Sequence, residues 1–295
     1  MKYLRAIAFA ALAGTTIVTA TGCAVARDQQ TVGAYVDDAA ITTAVKAKLV
    51  EDKTVSAGAI SVEQLTKAQA VLLAQQGCHL SLSDVNEQGL AQTAALLQDS
   101  GVRVTTHKVN VASLDEMRAW AQDTVQQHGS VNMIFNNAGV ALGSTVEGAA
   151  YEELEWIVSI NFWGVVYGTK EFLPLIKQTG DGCIINISSL FGLTAQPTQS
   201  AYNATKFAVR GFTESLRQEL DMENSGVSAL CVHPGGIRTN IANAARMNDS
   251  LRALGMNPEK SAKTFNKLLR CPPEEAARQI LQAVQKDKRR LLIGN

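Results

Sequence analysis

The chain has 295 residues, enough for one large domain or two, with 46% hydrophobic and 18% charged residues. Its 27 basic residues balance 27 acidic ones, so there is no electrostatic footprint for nucleic acid or for an anionic membrane surface. A small-molecule function is the class left standing.

The N-terminus has its own pattern. Lys2 and Arg5 precede the apolar stretch "AIAFAALAGTTIVTA", which is short and Thr-rich for a spanning helix and has the form of a secretory signal. It ends in "ATGC", which resembles a bacterial lipobox, with Ala20 where Leu is usual. That resemblance implies membrane anchoring through a lipidated Cys23; an ordinary signal peptide with an incidental cysteine is the alternative. Either way residues 1–23 point to the cell envelope. A polar linker, "ARDQQTVGAYVDD", follows. Then Ile41, Val45 and Leu49 form a one-faced helical stripe ahead of the short apolar run "GAISV". Together these resemble the opening helix and strand of a BON domain, without the rest of that module. Residues 24–63 are therefore read as linker plus truncated BON-like segment, and 64–295 as a separate domain.

From Thr66 onward, helical patterns alternate with apolar strands, which predicts an α/β fold: a doubly wound, mostly parallel sheet with helices on both faces. Helices are expected at 66–76 and 86–99 before the strands "CHLSLSD" and "VRVTTHKVNV". Ser113 with Glu116 predicts a capping box, and Gly129 a helix end before "VNMIF". Long helices are expected around 150–177 and 201–223, leading to "GCIINIS" and "VSALCVHPGG". Pro272 and Pro273 open a last helix before "RLLIG". The five cysteines show no CxxC pair, and several lie in apolar runs, as expected for thiols of a reducing compartment. No metal site is expected. The two halves of the chain thus imply different compartments, envelope and cytoplasm.

Sheets of this type bind ligands beyond the carboxyl ends of their strands. There stand "NNAG" (Asn136–Gly139), "NISS" (Asn186–Ser189) and "HPGG" (His233–Gly236). Tyr202 and Lys206, four apart in "YNATK", share one helical face, and Ser189 lies thirteen residues before Tyr202. A phenol titrates near ~10 in water, and a neighbouring ammonium favours its anion. A serine hydroxyl can donate to a carbonyl oxygen. Asn161, in "SINFWG", has an amide able to hold a water that links Lys206 to solvent. Such a set suits hydride transfer between a carbinol and a nicotinamide.

With these motifs in place, residues 66–295 resemble the classical short-chain dehydrogenase/reductase family. The resemblance implies a catalytic tetrad of Asn161, Ser189, Tyr202 and Lys206, with Tyr202 as general acid/base. It implies cofactor contacts from Asn137, Ala138 and Gly139, and from the "PGGIRT" segment through Pro234, Gly235, Ile237 and Thr239. Tyr202 and Lys206 contribute on the ribose side. Asn110 and Val111 occupy the adenine-facing place, where Asp-Val is usual. Asp84 ends the second strand, and a carboxylate there accepts from ribose hydroxyls and repels a 2′-phosphate; Val85 follows it rather than Arg. NAD is expected in preference to NADP. A homodimer or tetramer built on the two long helices is implied as well.

One element of the family pattern is absent. Where TGxxxGxG is expected, Ile60, Gln64 and Thr66 stand at the three glycine positions, and Glu63 adds negative charge. The first strand is also missing from its usual context. Without it the sheet has a gap of about 9–10 Å with unpaired lips. Residues 57–62, "AGAISV", are expected to serve as its replacement. In the variable segment 237–270, Met247, Leu251, Leu254 and Met256, with Phe191 and Trp163, suggest a small apolar alcohol or carbonyl substrate; lid packing is the alternative reading. Two functions result. One is an NAD(P)-dependent alcohol/carbonyl oxidoreductase, with activity impaired by the lost loop. The other is a non-catalytic envelope lipoprotein carrying a relic of that enzyme.

Overall fold

The computed structural model describes residues 57–61, 64–242 and 244–294. The signal-like segment, Cys23, the linker and the BON-like helix lie outside the described residues. Among those described, no helix is long and apolar enough to cross a membrane.

The first described element is a strand, β1 (Ala57–Ser61), so the sheet has no gap. It pairs in parallel with β2 (Leu80–Asp84) on one side and with β4 (Val131–Asn136) on the other. The surrogate strand thus fills the central position, ending at Ser61. Ile60, the first position where the family has a loop glycine, lies inside this strand, its backbone registered against Leu82 and Phe135. Helix α1 (Gln64–Gln75) starts three residues past the strand end.

Beyond β2 come α2 (Glu87–Ala95), β3 (Val104–Lys108) and α3 (Leu114–His128). Ser113 caps α3 as expected, accepting from the Glu116 amide. The Glu116 carboxylate, however, reaches the amide of Asn110 rather than completing a box on Ser113. Gly129 ends α3 at φ +83°, a backbone state that a Cβ disfavours.

The expected long helix at 150–177 runs without a break from Tyr151 to Lys177, as α4 (Tyr151–Val158), a π-helical turn (Ser159–Trp163) and α5 (Gly164–Lys177). Then follow β6 (Gly182–Ile187), α6 (Ser200–Glu223) and β7 (Val227–Pro234). A short parallel pair, β5 (Leu142–Gly143) with β8 (Arg246–Met247), lies outside the main sheet. Helix α7 (Pro258–Leu268) precedes α8 (Pro273–Gln285), which opens on proline as expected, and the sheet closes with β9 (Arg290–Ile293).

The seven-stranded sheet runs β3-β2-β1-β4-β6-β7-β9 with every pair parallel. Strand order reverses between β1 and β4, which places the crevice of a doubly wound sheet at their carboxyl ends. Strands buried on both faces read as apolar runs. Ile184 and Ile185 of β6 are both fully buried, in the clusters on opposite faces, each burial stabilising by roughly 1.5–3 kcal/mol. β2 carries two buried serines: Ser81 is satisfied, bonded to Thr124 Oγ1 at 3.0 Å and receiving Trp120 Nε1 at 2.9 Å, while the Ser83 hydroxyl has no partner among the described residues. Three cysteines (Cys78, Cys183, Cys231) are buried free thiols, and burial pushes Cys183 and Cys231 up to about 12. They pack as small apolar groups.

Candidate active site

The site is assembled at the carboxyl ends of β4, β6 and β7. Asn136 and Asn186, last or nearly last on neighbouring strands, bond side chain to side chain at 2.8 Å. Asn136 also donates to Thr169 and Asn186 to Thr213, tying both strand ends to α5 and α6. Gly168 is needed for this approach, because a Cβ there would lie 2.1 Å from Asn136 Oδ1.

Ser189 leaves β6 in an extended conformation and caps a single 3-10 turn, its Oγ accepting the Phe191 amide at 3.1 Å. One lone pair is thereby engaged, and the hydroxyl proton remains to be donated. Tyr202 and Lys206 project from the first two turns of α6. The ammonium lies 5.7 Å from the Tyr202 ring centroid and donates to the Ile187 carbonyl at 3.0 Å. Both side chains are buried, as is Ser189. The helix comes this close to the serine turn at Gly192, where a Cβ would stand 2.7 Å from the Lys206 carbonyl.

Asn161 lies in the π-helical turn, a device common at functional sites because its extra residue re-aims a side chain. It clamps Val140 from both sides, accepting its N–H at 2.8 Å and donating to its carbonyl at 2.9 Å, and it also reaches Thr205 of α6. Gly139 separates it from the lysine. A Cβ at that position would sit 3.3 Å from Lys206 Nζ and 3.4 Å from Asn161 Oδ1.

Ser189, Tyr202 and Lys206 line a cavity of about 290 Å³ together with Asn137, Gly139, Pro234, Gly235, Ile237 and Thr239. Asn161 stands behind it, fully buried. Ala138 and Val111 belong to a smaller crevice, which shares Asn137 with the main one. Asn110 is exposed, and its Oδ1 is turned back to the Ala112 amide. Asp84 closes β2, beside β1, and its Oδ1 accepts the Asn86 amide at 2.8 Å; Asn86, not Asp84, caps α2.

The apolar wall differs from the one expected. It is built by Leu190, Phe191 and Ile241, with Phe265, Leu268 and Leu269 from α7 and just after it. Met247 and Leu251 instead pack about Gly143, while Leu254, Met256 and Trp163 are exposed. Of the apolar set expected from sequence, only Phe191 reaches the cavity. Phe265, Leu268 and Leu269 follow i, i+3, i+4 spacing, the helical signal that could have found them. Thr66, at the third glycine position, is buried and accepts a hydrogen bond from Asn137 Nδ2 at 3.0 Å.

The residues present fit a nicotinamide cofactor at its nicotinamide end. Small residues, Gly139 and Gly235, leave room beside the lysine and the Pro234 turn, and Thr239 offers a hydroxyl.

Comparison with known proteins agrees. The model of the family described as short chain dehydrogenase matches residues 63–250. A Mycobacterium tuberculosis protein named as an oxidoreductase, SadH, is 44% identical over 229 residues, covering 77% of this chain and 81% of its own. Levodione reductase of Leifsonia aquatica is 32% identical over 205 residues, covering 68% and 74%. A crystal structure of levodione reductase superposes with a TM-score of 0.69 at 27% identity, over 80% of this chain and 95% of that one. A Burkholderia phymatum short-chain dehydrogenase/reductase in complex with NAD shares the fold, with a TM-score of 0.74 at 24% identity, over 81% and 88%. The chain belongs to the short-chain dehydrogenase family and is an NAD(P)-dependent oxidoreductase of that family.

Proposed function

We propose that this enzyme interconverts a small, neutral, largely apolar secondary alcohol and its ketone, with NAD preferred over NADP. The observation that carries this reading is the composition of the cavity. Among the described residues that line it Lys206 is the one charged group; Gln196 and Gln199 are neutral, and aromatic and aliphatic side chains make up most of the rest of the wall. An anionic substrate would find no second cation there, whereas an apolar ketone would find a wall of Phe191, Ile241 and Phe265.

When bound, the nicotinamide supplies the hydride acceptor or donor. The chain's own residues handle the proton and the orientation. Ser189 donates its hydroxyl proton in a hydrogen bond to the substrate oxygen, since its other face is held by Phe191. In oxidation the Tyr202 phenolate takes the hydroxyl proton as the carbinol C–H leaves as hydride; in reduction the phenol gives it back. Lys206 favours the phenolate electrostatically. Asn161 holds the loop carrying Gly139 against α6 and so keeps the lysine in register. Asp84 supports the NAD preference: its carboxylate at the end of β2 repels a 2′-phosphate, and Val85 offers no compensating cation.

The test uses the full chain with NADH and 2-octanone as probe. Tyr202→Phe is expected to lower kcat by about 10²–10⁴-fold while leaving NADH binding intact, and NADH is expected to outperform NADPH. Equal turnover by wild type and Tyr202→Phe would sink this assignment.

A further inference from the structure

His233 immediately precedes the "PGG" turn and is 1% exposed. Its Nδ1 lies 3.0 Å from the Ser189 carbonyl oxygen, and its Nε2 is buried without a hydrogen-bond partner among the described residues. A carbonyl only accepts, so the nitrogen facing it carries the proton. That selects the Nδ1–H tautomer and leaves Nε2 bare. Burial holds this imidazole below its usual pKa, so the ring stays neutral.

We infer that His233 is a positioning residue for Ser189, its Nδ1–H gripping the serine's own carbonyl and so fixing the direction of the hydroxyl. This rests on the role given to Ser189 above. The serine is held at three points. Its Oγ accepts from Phe191, its carbonyl accepts the Gly192 amide at 2.9 Å, and the same carbonyl meets His233. The first two contacts are internal to the 3-10 turn and would move with it. The third ties the serine's own carbonyl to β7, the strand whose end carries the Pro234–Thr239 segment of the cavity wall, one residue beyond the Ser188 amide, which donates to the Val232 carbonyl at 2.8 Å. His233 therefore extends the β6–β7 pairing one residue further, into the turn, and sets the serine's carbonyl relative to the nicotinamide side of the site. A displacement near 1 Å in such a relation can cost on the order of 10²-fold in rate.

The experiment compares His233→Leu, His233→Asn and Ser189→Ala in the full chain, with NADH and 2-octanone. The amide of Asn reproduces a donor at the Nδ1 position, and Leu does not. His233→Leu is expected to lower kcat by about 10–100-fold, with the KM for 2-octanone, NADH binding and thermal midpoint little changed, and His233→Asn to recover most of the loss. A purely structural role would move the midpoint and leave Asn no better than Leu. Wild-type turnover in His233→Leu with Ser189→Ala inactive would overturn this inference alone. Full turnover in Ser189→Ala would overturn the functional reading instead. Independently of turnover, the ¹⁵N spectrum of His233 should show the proton on Nδ1, and a proton on Nε2 would refute the inference even if His233→Leu failed to fold.

Discussion

Ser189 has one proton and two lone pairs, and the fold assigns one of the lone pairs to the Phe191 amide before any substrate arrives. Lys206 is treated in the same way. Burying an ammonium without partners costs several kcal/mol, and the Ile187 carbonyl supplies one partner from the strand that also delivers Ser189. The spacing of Tyr202, Lys206 and Ser189 was legible in the sequence because it is set locally, by one helical turn and one strand end. The contacts of His233 and Thr66 were not. Each has its significance from a neighbour on a different strand or loop, Ser189 for one and Asn137 for the other. At the same scale stands the cofactor loop. Ile60, Gln64 and Thr66 replace residues whose lack of a Cβ lets backbone amides reach a pyrophosphate. The double change Gln64→Gly, Thr66→Gly, which leaves Ile60 in its place within β1, is expected to tighten NAD binding at least about tenfold by calorimetry, even though Thr66→Gly gives up the Asn137 bond worth about 1 kcal/mol. Unchanged affinity would mean that the diphosphate is held without close backbone approach.

Elements meet closely at several glycines, and two of these pinch points bear on the site and its surroundings. At Gly192 a methyl group would lie 2.3 Å from Ser188 Oγ and 2.7 Å from the Lys206 carbonyl, which is helix backbone and cannot rotate away. Gly192→Ala is expected to destabilise the protein by about 1–3 kcal/mol in urea titration and to depress turnover by separating α6 from the serine turn. Wild-type stability would show that the turn has slack. The second pinch lies under β8, where a methyl on Gly143 would meet Met247 Sδ at 2.6 Å. Asn248 reaching Glu153 and Arg246 stacked 3.6 Å over Trp156 fasten the same segment to α4. This fastening favours, for Met247 and Leu251, the packing role that the sequence offers as the alternative to a substrate-facing one. Their apolar character serves the anchor, and the wall comes from α7 further along. The π-helical turn at Asn161 left no mark in the sequence either. A shift from i−4 to i−5 bonding needs no special residue, only the Val140 backbone and Thr205 waiting on the far side.

Across the whole molecule, three of the four histidines gather near the β3 edge of the sheet. His128 shares Thr105 with His107, and its ring lies 6.4 Å from that of His79. Burial, helped by Arg103 and the other two imidazoles, pushes His128 down to about 4. The unfolded chain binds that proton near ~6.5, so between these values it takes up protons that the folded chain refuses. Stability is therefore expected to fall as pH drops from ~6.5 toward ~4. His128→Gln should flatten that slope in denaturant titrations at stepped pH; an identical slope would assign it to the other imidazoles that burial holds low, His107 and His233.

The parallel order of the sheet was readable from alternating patterns. The place of β1 was harder to read, because "AGAIS" is thin for a central strand and betrays its position only through its two neighbours. That position has a temporal consequence. Ala57 is the first of the described sheet residues to be synthesised, yet it pairs with Val131. As the chain emerges, β1 can lie against β2 early, but its other edge must wait until α2, β3 and α3 have been laid down. The first made of the described strands is thus among the last to be closed in on both sides, and until then its open edge is a target for any other strand in reach.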